Sequence, residues 1–171
     1  SYGRDICEKL ITGLKGYPIV IVSGLALGID SIAHRAALKA GLVTMSFPGS
    51  GLDNNALYPR NNTALADEIV AEGGCLISEF PPSMKAELYT FPQRNRLMAG
   101  MSKATLVIEA AEKSGTLITA RMALDYNRDV LVVPGSVFST TSSGTNKLIR
   151  QGATPITNSN DLLEALGFEV E

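Results

Sequence analysis

Ile19-Val20-Ile21-Val22, the turn Ser23-Gly24-Leu25-Ala26-Leu27-Gly28 behind it, and Ile29, Ile32, Ala33, Ala36 and Ala40 at helical spacing beyond decide how this chain folds. Four consecutive β-branched residues without in/out alternation make a strand covered on both faces, which is the habit of parallel sheets. A turn of small residues then feeds a helix. Leu42-Val43-Thr44-Met45, Cys75-Leu76-Ile77-Ser78, Thr105-Leu106-Val107-Ile108 and Val130-Leu131-Val132-Val133 read as further buried strands. Between them lie helical patterns at Leu65 and Ile69, at Leu97, Met98 and Met101, and at Leu117, Ile118, Met122 and Leu124. This alternation predicts the α/β class, as a doubly wound, mostly parallel open sheet. Tyr2 to Lys15 reads as a first helix, with Ile6, Leu10 and Leu14 on one stripe. Such a sheet opens on a strand, so the first strand is expected to be missing from this chain.

With 171 residues, 45% of them hydrophobic, the chain can bury one core of ordinary size, and a single domain over residues 1–171 is expected. A charged fraction of 19% and a net charge of −2 exclude a disordered chain. No apolar run approaches the roughly 20 residues that span a bilayer. The opening Ser1-Tyr2-Gly3-Arg4-Asp5 is not that of a signal peptide, so a soluble, cytoplasmic protein without a membrane partner is expected. Two cysteines far apart, Cys7 and Cys75, and one histidine, His34, build no Cys/His metal cluster. A nucleophile-base mechanism would have to route through His34, and Asp30, four residues before it, reads as its helix-stabilising partner rather than half of an acid-base couple. No metal, no cofactor and no catalytic residue is expected. Charge is unevenly spread: Phe91 to Lys103 holds Arg94, Arg96 and Lys103 without an acid, a local basic face of the kind a polyanion needs.

Gly-rich or small-residue turns follow four of the strand runs: Ser23 to Gly28, Pro48-Gly49-Ser50-Gly51, Ser114-Gly115-Thr116 and Pro134-Gly135-Ser136. In an open parallel sheet these converge on the carboxyl edge, where ligands bind and backbone N–H groups can approach phosphates. In Phe91-Pro92-Gln93-Arg94-Asn95-Arg96, Pro92 suits a helix start, which places two arginines against the helix dipole. A bound anion compensates that arrangement, and so would ion pairs to Glu79 or Glu109. Phe91 is either a stacking platform or core filler. Tyr58-Pro59-Arg60 repeats the pattern, and Lys113-Ser114-Gly115-Thr116, ahead of Thr119 and Arg121, is a phosphate-shaped site without a catalytic base. Ser139 to Gly144 reads as a mobile loop, and Gly167 as the stop of the last helix. Leu148, Ile149, Ile156, Leu162, Leu163 and Leu166 form an apolar supply at the chain's end, part of which is expected to pack on the edge of the sheet while the remainder offers a two-fold interface.

Longer strings carry a resemblance: Ser23 to Asp30 with Ala33-His34-Arg35; Gly51-Leu52-Asp53 before Tyr58-Pro59-Arg60-Asn61; Ser78-Glu79-Phe80-Pro81; Phe91 to Arg96 with Ala99-Gly100; Glu109-Ala110 with Ser114 to Ala120; and Val133-Pro134-Gly135. In this order they resemble the DNA processing protein A family, from Ser1 to about Leu166. The resemblance implies an extended Rossmann-like fold that binds single-stranded DNA and loads RecA onto it in natural transformation, without turnover. It also implies a homodimer formed through the C-terminal part. The family's basic pocket maps onto Arg60, Phe91, Arg94, Asn95, Arg96, Lys113, Ser114, Gly115 and Thr116. Ser23, Gly24, Arg35, Thr119 and Arg121, within or beside the matched strings, complete the candidate DNA-binding set. The family's opening strand, with a Gly-Ser-Arg turn, would lie before Ser1, and Asn54-Asn55-Ala56 lengthens a spacer, so a fragment of a longer protein is expected. The alternative is a nucleoside-monophosphate phosphoribohydrolase of the lysine-decarboxylase-like group. For that reading Lys113 to Thr116, with Glu109 and Arg121, lacks the paired glycines of the phosphate loop.

Overall fold

Each long β-branched run becomes a parallel strand followed by a helix in the structure, a computed structural model that describes residues 1–171. The chain divides into two compact units, a central one of residues Leu14–Met98 and a terminal one made of Ser1–Gly13 with Ala99–Glu171.

In the central unit the strands are β1 (Val20–Ser23), β2 (Val43–Ser46) and β3 (Cys75–Leu76), parallel and in the order β1-β2-β3. Val20 stands opposite Val43 and Ser23 opposite Ser46, which brings the turns after β1 and β2 to one edge. Two helices make the crossovers. They are α2 (Ile29–Lys39) and α3 (Thr63–Ala71), and α1 (Tyr2–Thr12) lies in the terminal unit. Asp30 in the first turn of α2 and Lys39 in its last complement the helix dipole. A short 3₁₀ turn, Arg60–Asn62, leads into α3. Leu25, Leu57, Leu65, Ala66 and Ile69 form the core, with Leu38 and Leu76 against it. β3 is shorter than the run Cys75 to Ser78 predicts. Ile77 N–H still donates to Ser46 C=O (2.9 Å), but the Ser78 hydroxyl turns to Ser50 C=O (2.7 Å) and the chain leaves the sheet.

Helix α4 covers Thr90–Met101, and the division between the units falls within it. It starts two residues before Pro92, where the Thr90 hydroxyl accepts from Glu87 N–H (3.0 Å) and donates to Glu87 C=O (2.7 Å).

The terminal unit repeats the pattern with β4 (Ala104–Val107), α5 (Gly115–Asp125), β5 (Asp129–Val132), α6 (Ser143–Arg150), β6 (Thr154–Pro155) and α7 (Ser159–Ala165). Its strands are parallel in the order β4-β5-β6, so the expected parallel α/β pairing is present in each unit as a three-stranded sheet. Val107, Ala110, Ala120, Ala123, Val130, Val132 and Leu148 make the core. The end of α1 meets the start of α7: the Ser159 hydroxyl donates to Leu10 C=O (3.0 Å), and a Cβ on Gly13 would lie 2.0 Å from that hydroxyl. Gly167, at φ +90°, ends α7 as the sequence suggests.

One expectation is corrected in this unit. Ser139 to Gly144 is not a loose loop: Thr140–Ser142 form a 3₁₀ turn, the Ser143 hydroxyl donates to Thr140 C=O (2.8 Å), and Ala110 N–H donates to Thr141 C=O (2.9 Å). Most of the apolar supply of the chain's end packs within the unit, with Leu148, Ile156, Leu162 and Leu163 all buried, and Ile149 and Leu166 stay half-buried. β6, which carries Pro155 and no apolar run, adds the strand that Ile156 follows into the core. No helix of the chain is long and apolar enough to cross a membrane.

Candidate nucleic-acid interface

The turn after β1 is held on every side by side chains of the central unit. Asp30 Oδ2 accepts from Gly24 N–H (2.9 Å) and Ala26 N–H (3.3 Å). The Asn62 amide donates to Leu25 C=O (2.7 Å) and to the Ser31 hydroxyl (2.8 Å), which in turn donates to Ala26 C=O (2.6 Å). Leu25 sits at φ +67° with its side chain fully buried, a backbone state that a non-glycine residue keeps only when its surroundings impose it.

Arg94 completes this arrangement and corrects its expected role. Arg94 is 5% exposed, and its guanidinium donates to Gly24 C=O and Phe47 C=O (2.7 Å each) and, through Nε, to Asn95 Oδ1 (2.9 Å). Burial pushes its pKa below the usual arginine range, while Asp30 acts in the opposite sense. Arg94 is thus a brace between the turns after β1 and β2, not an exposed phosphate ligand. Gly24 changes meaning with it. A Cβ there would lie 2.4 Å from the guanidinium, so the glycine makes room for Arg94, and its N–H is already bonded to Asp30. Asn95 serves the same brace, and Ser23 ends β1 beside it.

Arg96 also finds a partner. It forms an ion pair with Glu79, so the internal compensation anticipated as one alternative holds for this arginine. The pair is partly solvated, with side-chain exposures of 41% and 24%, and such pairs contribute about 0–1 kcal/mol. Arg96 can therefore leave Glu79 for a phosphate at small cost.

Phe91 is half-buried, packed so closely over Gly49 that a Cβ there would lie 2.6 Å from its ring. Its ring centroid is 5.5 Å from that of Tyr58, tilted by 59°, and 5.6 Å from the Arg94 guanidinium carbon. Tyr58, 47% exposed, is the outer member of this group and the face open to a base. Tyr58 is absent from the DNA-binding set expected from the sequence, although an aromatic just before an arginine is the available signal. Arg60 and Arg35 are exposed and make no ion pair.

In the terminal unit the N-terminus of α5 is open. Ser114 caps it, its hydroxyl accepting from Thr116 N–H (3.2 Å). Gly115 is exposed with no atom within 4 Å of a Cβ built on it, and neither a positive φ nor a neighbour requires glycine there. Lys113 and Arg121 are exposed and unpaired, while Thr119 is buried, its hydroxyl turned back to Gly115 C=O (3.4 Å), and is part of the helix rather than of the surface.

His34 is withdrawn from chemistry by burial. It is fully buried, with Nδ1 2.7 Å from the Thr44 hydroxyl, which itself donates to Ile21 C=O (2.8 Å). That hydroxyl has one proton to give, so His34 donates through Nδ1 and its Nε2 lone pair is left without a partner. Desolvation lowers its pKa from 6.5 to about 4, against the pull of Asp30. Asp30 acts on His34 through its charge, without a hydrogen bond between them, and its carboxylate accepts from the β1 turn. Glu109, the acid of the nucleotide-cleaving alternative, packs against α1, where a Cβ on Gly3 would lie 2.0 Å from its carboxylate.

Comparison with known proteins agrees with this geometry. Protein Smf of Escherichia coli is 44% identical over 167 residues, which cover 98% of this chain and 43% of that protein. The solved structure of DNA processing protein A from Streptococcus pneumoniae superposes with a TM-score of 0.87 at 40% identity, covering 99% of this chain and 58% of that one. DNA processing protein A from Helicobacter pylori, whose structure was described for its single-stranded DNA binding mode, gives a TM-score of 0.85 at 33% identity over 96% of this chain and 74% of that one. The chain thus spans about half the length of the curated relatives it matches. The model of the DNA recombination-mediator protein A family matches residues 1–167, and with the braced turn, the Phe91 to Arg96 helix start and the open α5 in place, the chain belongs to that family.

Proposed function

We propose that this chain binds single-stranded DNA without turning it over and is the DNA-holding part of a recombination mediator that loads RecA onto the strand in natural transformation. The observation that carries the reading is the exposed, unpaired Arg60 two residues from Tyr58, whose half-exposed ring stands on Phe91. A cation without a protein partner beside an aromatic face is what a phosphate and its base require together. Lys113, just before the open first turn of α5, supplies a cation in the terminal unit, and the exposed Arg121 lies farther along the same helix. Binding without turnover is supported by His34, the one histidine of the chain, being fully buried and so out of a ligand's reach.

Self-association as a homodimer belongs to the same proposal, through a different surface from the one the sequence suggests. Ile118 and Leu124 of α5 are 54% and 59% exposed, and they replace the buried leucines as the apolar supply. Light scattering across a dilution series should show a mass above 18.1 kDa at high concentration that falls on Ile118→Lys.

Fluorescence anisotropy with a labelled oligothymidine tests the DNA reading. Affinity should fall with salt at a log-log slope of about −0.7 per phosphate contacted, and Arg60→Ala should lower the slope's magnitude by about 0.7. A salt-independent affinity, or equal affinity for duplex of the same length, refutes the proposal.

A further inference from the structure

Among the cations of the candidate DNA-binding set, Arg96 alone is both open to solvent and occupied by an anion of the chain itself. Arg94 is buried, and Arg35, Arg60, Lys113 and Arg121 form no ion pair, whereas Arg96 holds the Glu79 carboxylate through Nη2. Its Nε and Nη1 donate to no atom of the protein, so most of the donors of a partly solvated guanidinium stay open. A second anion can therefore reach Arg96 before Glu79 lets go.

Glu79 is presented from a pinned segment. The Ser78 hydroxyl before it donates to Ser50 C=O (2.7 Å) and accepts from Phe80 N–H behind it (3.1 Å). Farther along, Gly51 N–H donates to Met84 C=O (2.7 Å) and Asp53 N–H to Pro82 C=O (3.0 Å). The Ser50 hydroxyl also accepts from Tyr58 N–H (3.1 Å), so the residue before Glu79 and the outer aromatic of the site are bonded to one and the same serine. Arg94, two residues before Arg96, reaches Gly24 C=O and Phe47 C=O, which sets this part of α4 over the turns after β1 and β2. The carboxylate thus stands at the carboxyl edge of the central sheet, where such sheets take ligands, on the side of Tyr58.

Other acids of this stretch act differently. Asp53 on the turn after β2 and Glu87 before α4 are exposed and form no ion pair, so they repel a strand without holding a cation. Glu79 instead occupies the group that a phosphate needs. An exposed pair is weak enough for a phosphate to displace, yet the competitor is part of the chain and acts at a fixed effective concentration whatever the amount of DNA.

We propose that Glu79 is a built-in competitor of DNA phosphate for Arg96, a residue that sets affinity by holding the guanidinium until a strand displaces it. This rests on the reading that the chain binds single-stranded DNA.

The test is a double-mutant cycle on the 171-residue chain, with Glu79→Gln, Arg96→Met and the two combined, read by anisotropy of a labelled oligothymidine. Glu79→Gln keeps the size of the side chain and an acceptor for Arg96 while removing the charge. With Arg96 present it should tighten binding by about 2- to 5-fold, the range of an exposed pair, and with Arg96→Met it should change nothing. Tightening of equal size in both backgrounds assigns Glu79 to general repulsion, like Asp53 and Glu87, and overturns the proposal while sparing the DNA-binding reading. Affinity that Glu79→Gln leaves unchanged or weakens overturns it in the same way, and a lowered urea midpoint without a gain in affinity assigns the pair to the fold and also overturns it. A wild-type chain that does not bind the strand overturns the DNA-binding reading itself.

Discussion

His34 makes the stability of this protein sensitive to mild acid, in an amount that its burial sets. The folded protein keeps the imidazole neutral down to about pH 4, whereas the unfolded chain protonates it near 6.5. Below about pH 6.5 the unfolded state therefore holds the extra proton, and stability falls as pH falls, reaching its full loss near the folded value. At about 1.4 kcal/mol for each pH unit of that gap, the whole effect is about 3 kcal/mol, a large share of the 5–15 kcal/mol typical of a domain. Carboxylates titrate in the same range, so the measurement is a difference. His34→Gln removes the titration and keeps a side-chain donor for the Thr44 hydroxyl. Urea denaturation can be followed by tyrosine fluorescence, since the chain has five tyrosines and no tryptophan. Relative to the variant, wild-type should lose about 1.4 kcal/mol between roughly pH 7.5 and 5.5, and about 2.5 kcal/mol by roughly pH 4.5. A difference between the two proteins that stays constant over that range refutes the reasoning, because the ring would then titrate alike folded and unfolded.

Two substitutions separate bracing from binding. Arg94→Met leaves Gly24 C=O and Phe47 C=O without their donor in a buried site and should destabilise the chain by about 2–4 kcal/mol, seen as a lowered urea midpoint; a midpoint unchanged with DNA affinity reduced would return Arg94 to the phosphate ligands. Gly115→Ala meets no atom within 4 Å and should leave stability equal or raised by up to about 1 kcal/mol while weakening binding to the oligothymidine, and unaltered affinity would show that the α5 start is idle.

How much of this was legible in the sequence differs between backbone and side chains. β1, β2, β4 and β5 lie within one residue of their apolar runs, because a strand buried on both faces has no choice but to be continuously apolar. β6 was missed for the complementary reason: two residues, one of them Pro155, paired only on one side, carry no apolar signature. At the site, residue types were readable and roles were not. Arg94 and Arg96 look alike in the sequence, two apart in one helical turn, yet one is buried under the β1 turn and the other is half-solvated on Glu79. What separates them is the missing side chain at Gly24, and neither local spacing nor charge announces which cation will enter a gap left so far away in the chain.

The contact between Gly24 and Arg94 also ties the histories of the two positions together. Any side chain at 24 would expel the guanidinium, and loss of the guanidinium would strand Gly24 C=O and Phe47 C=O, so neither position can change alone without harm. Asp30 enters the same bargain, because its carboxylate accepts the Gly24 N–H and lies 2.9 Å from where that side chain would begin. Three residues spread over some seventy positions thus behave as one mutational unit, whose permitted changes are joint ones. A library randomised at 24 and 94 together should yield folded pairs that neither single-position library contains.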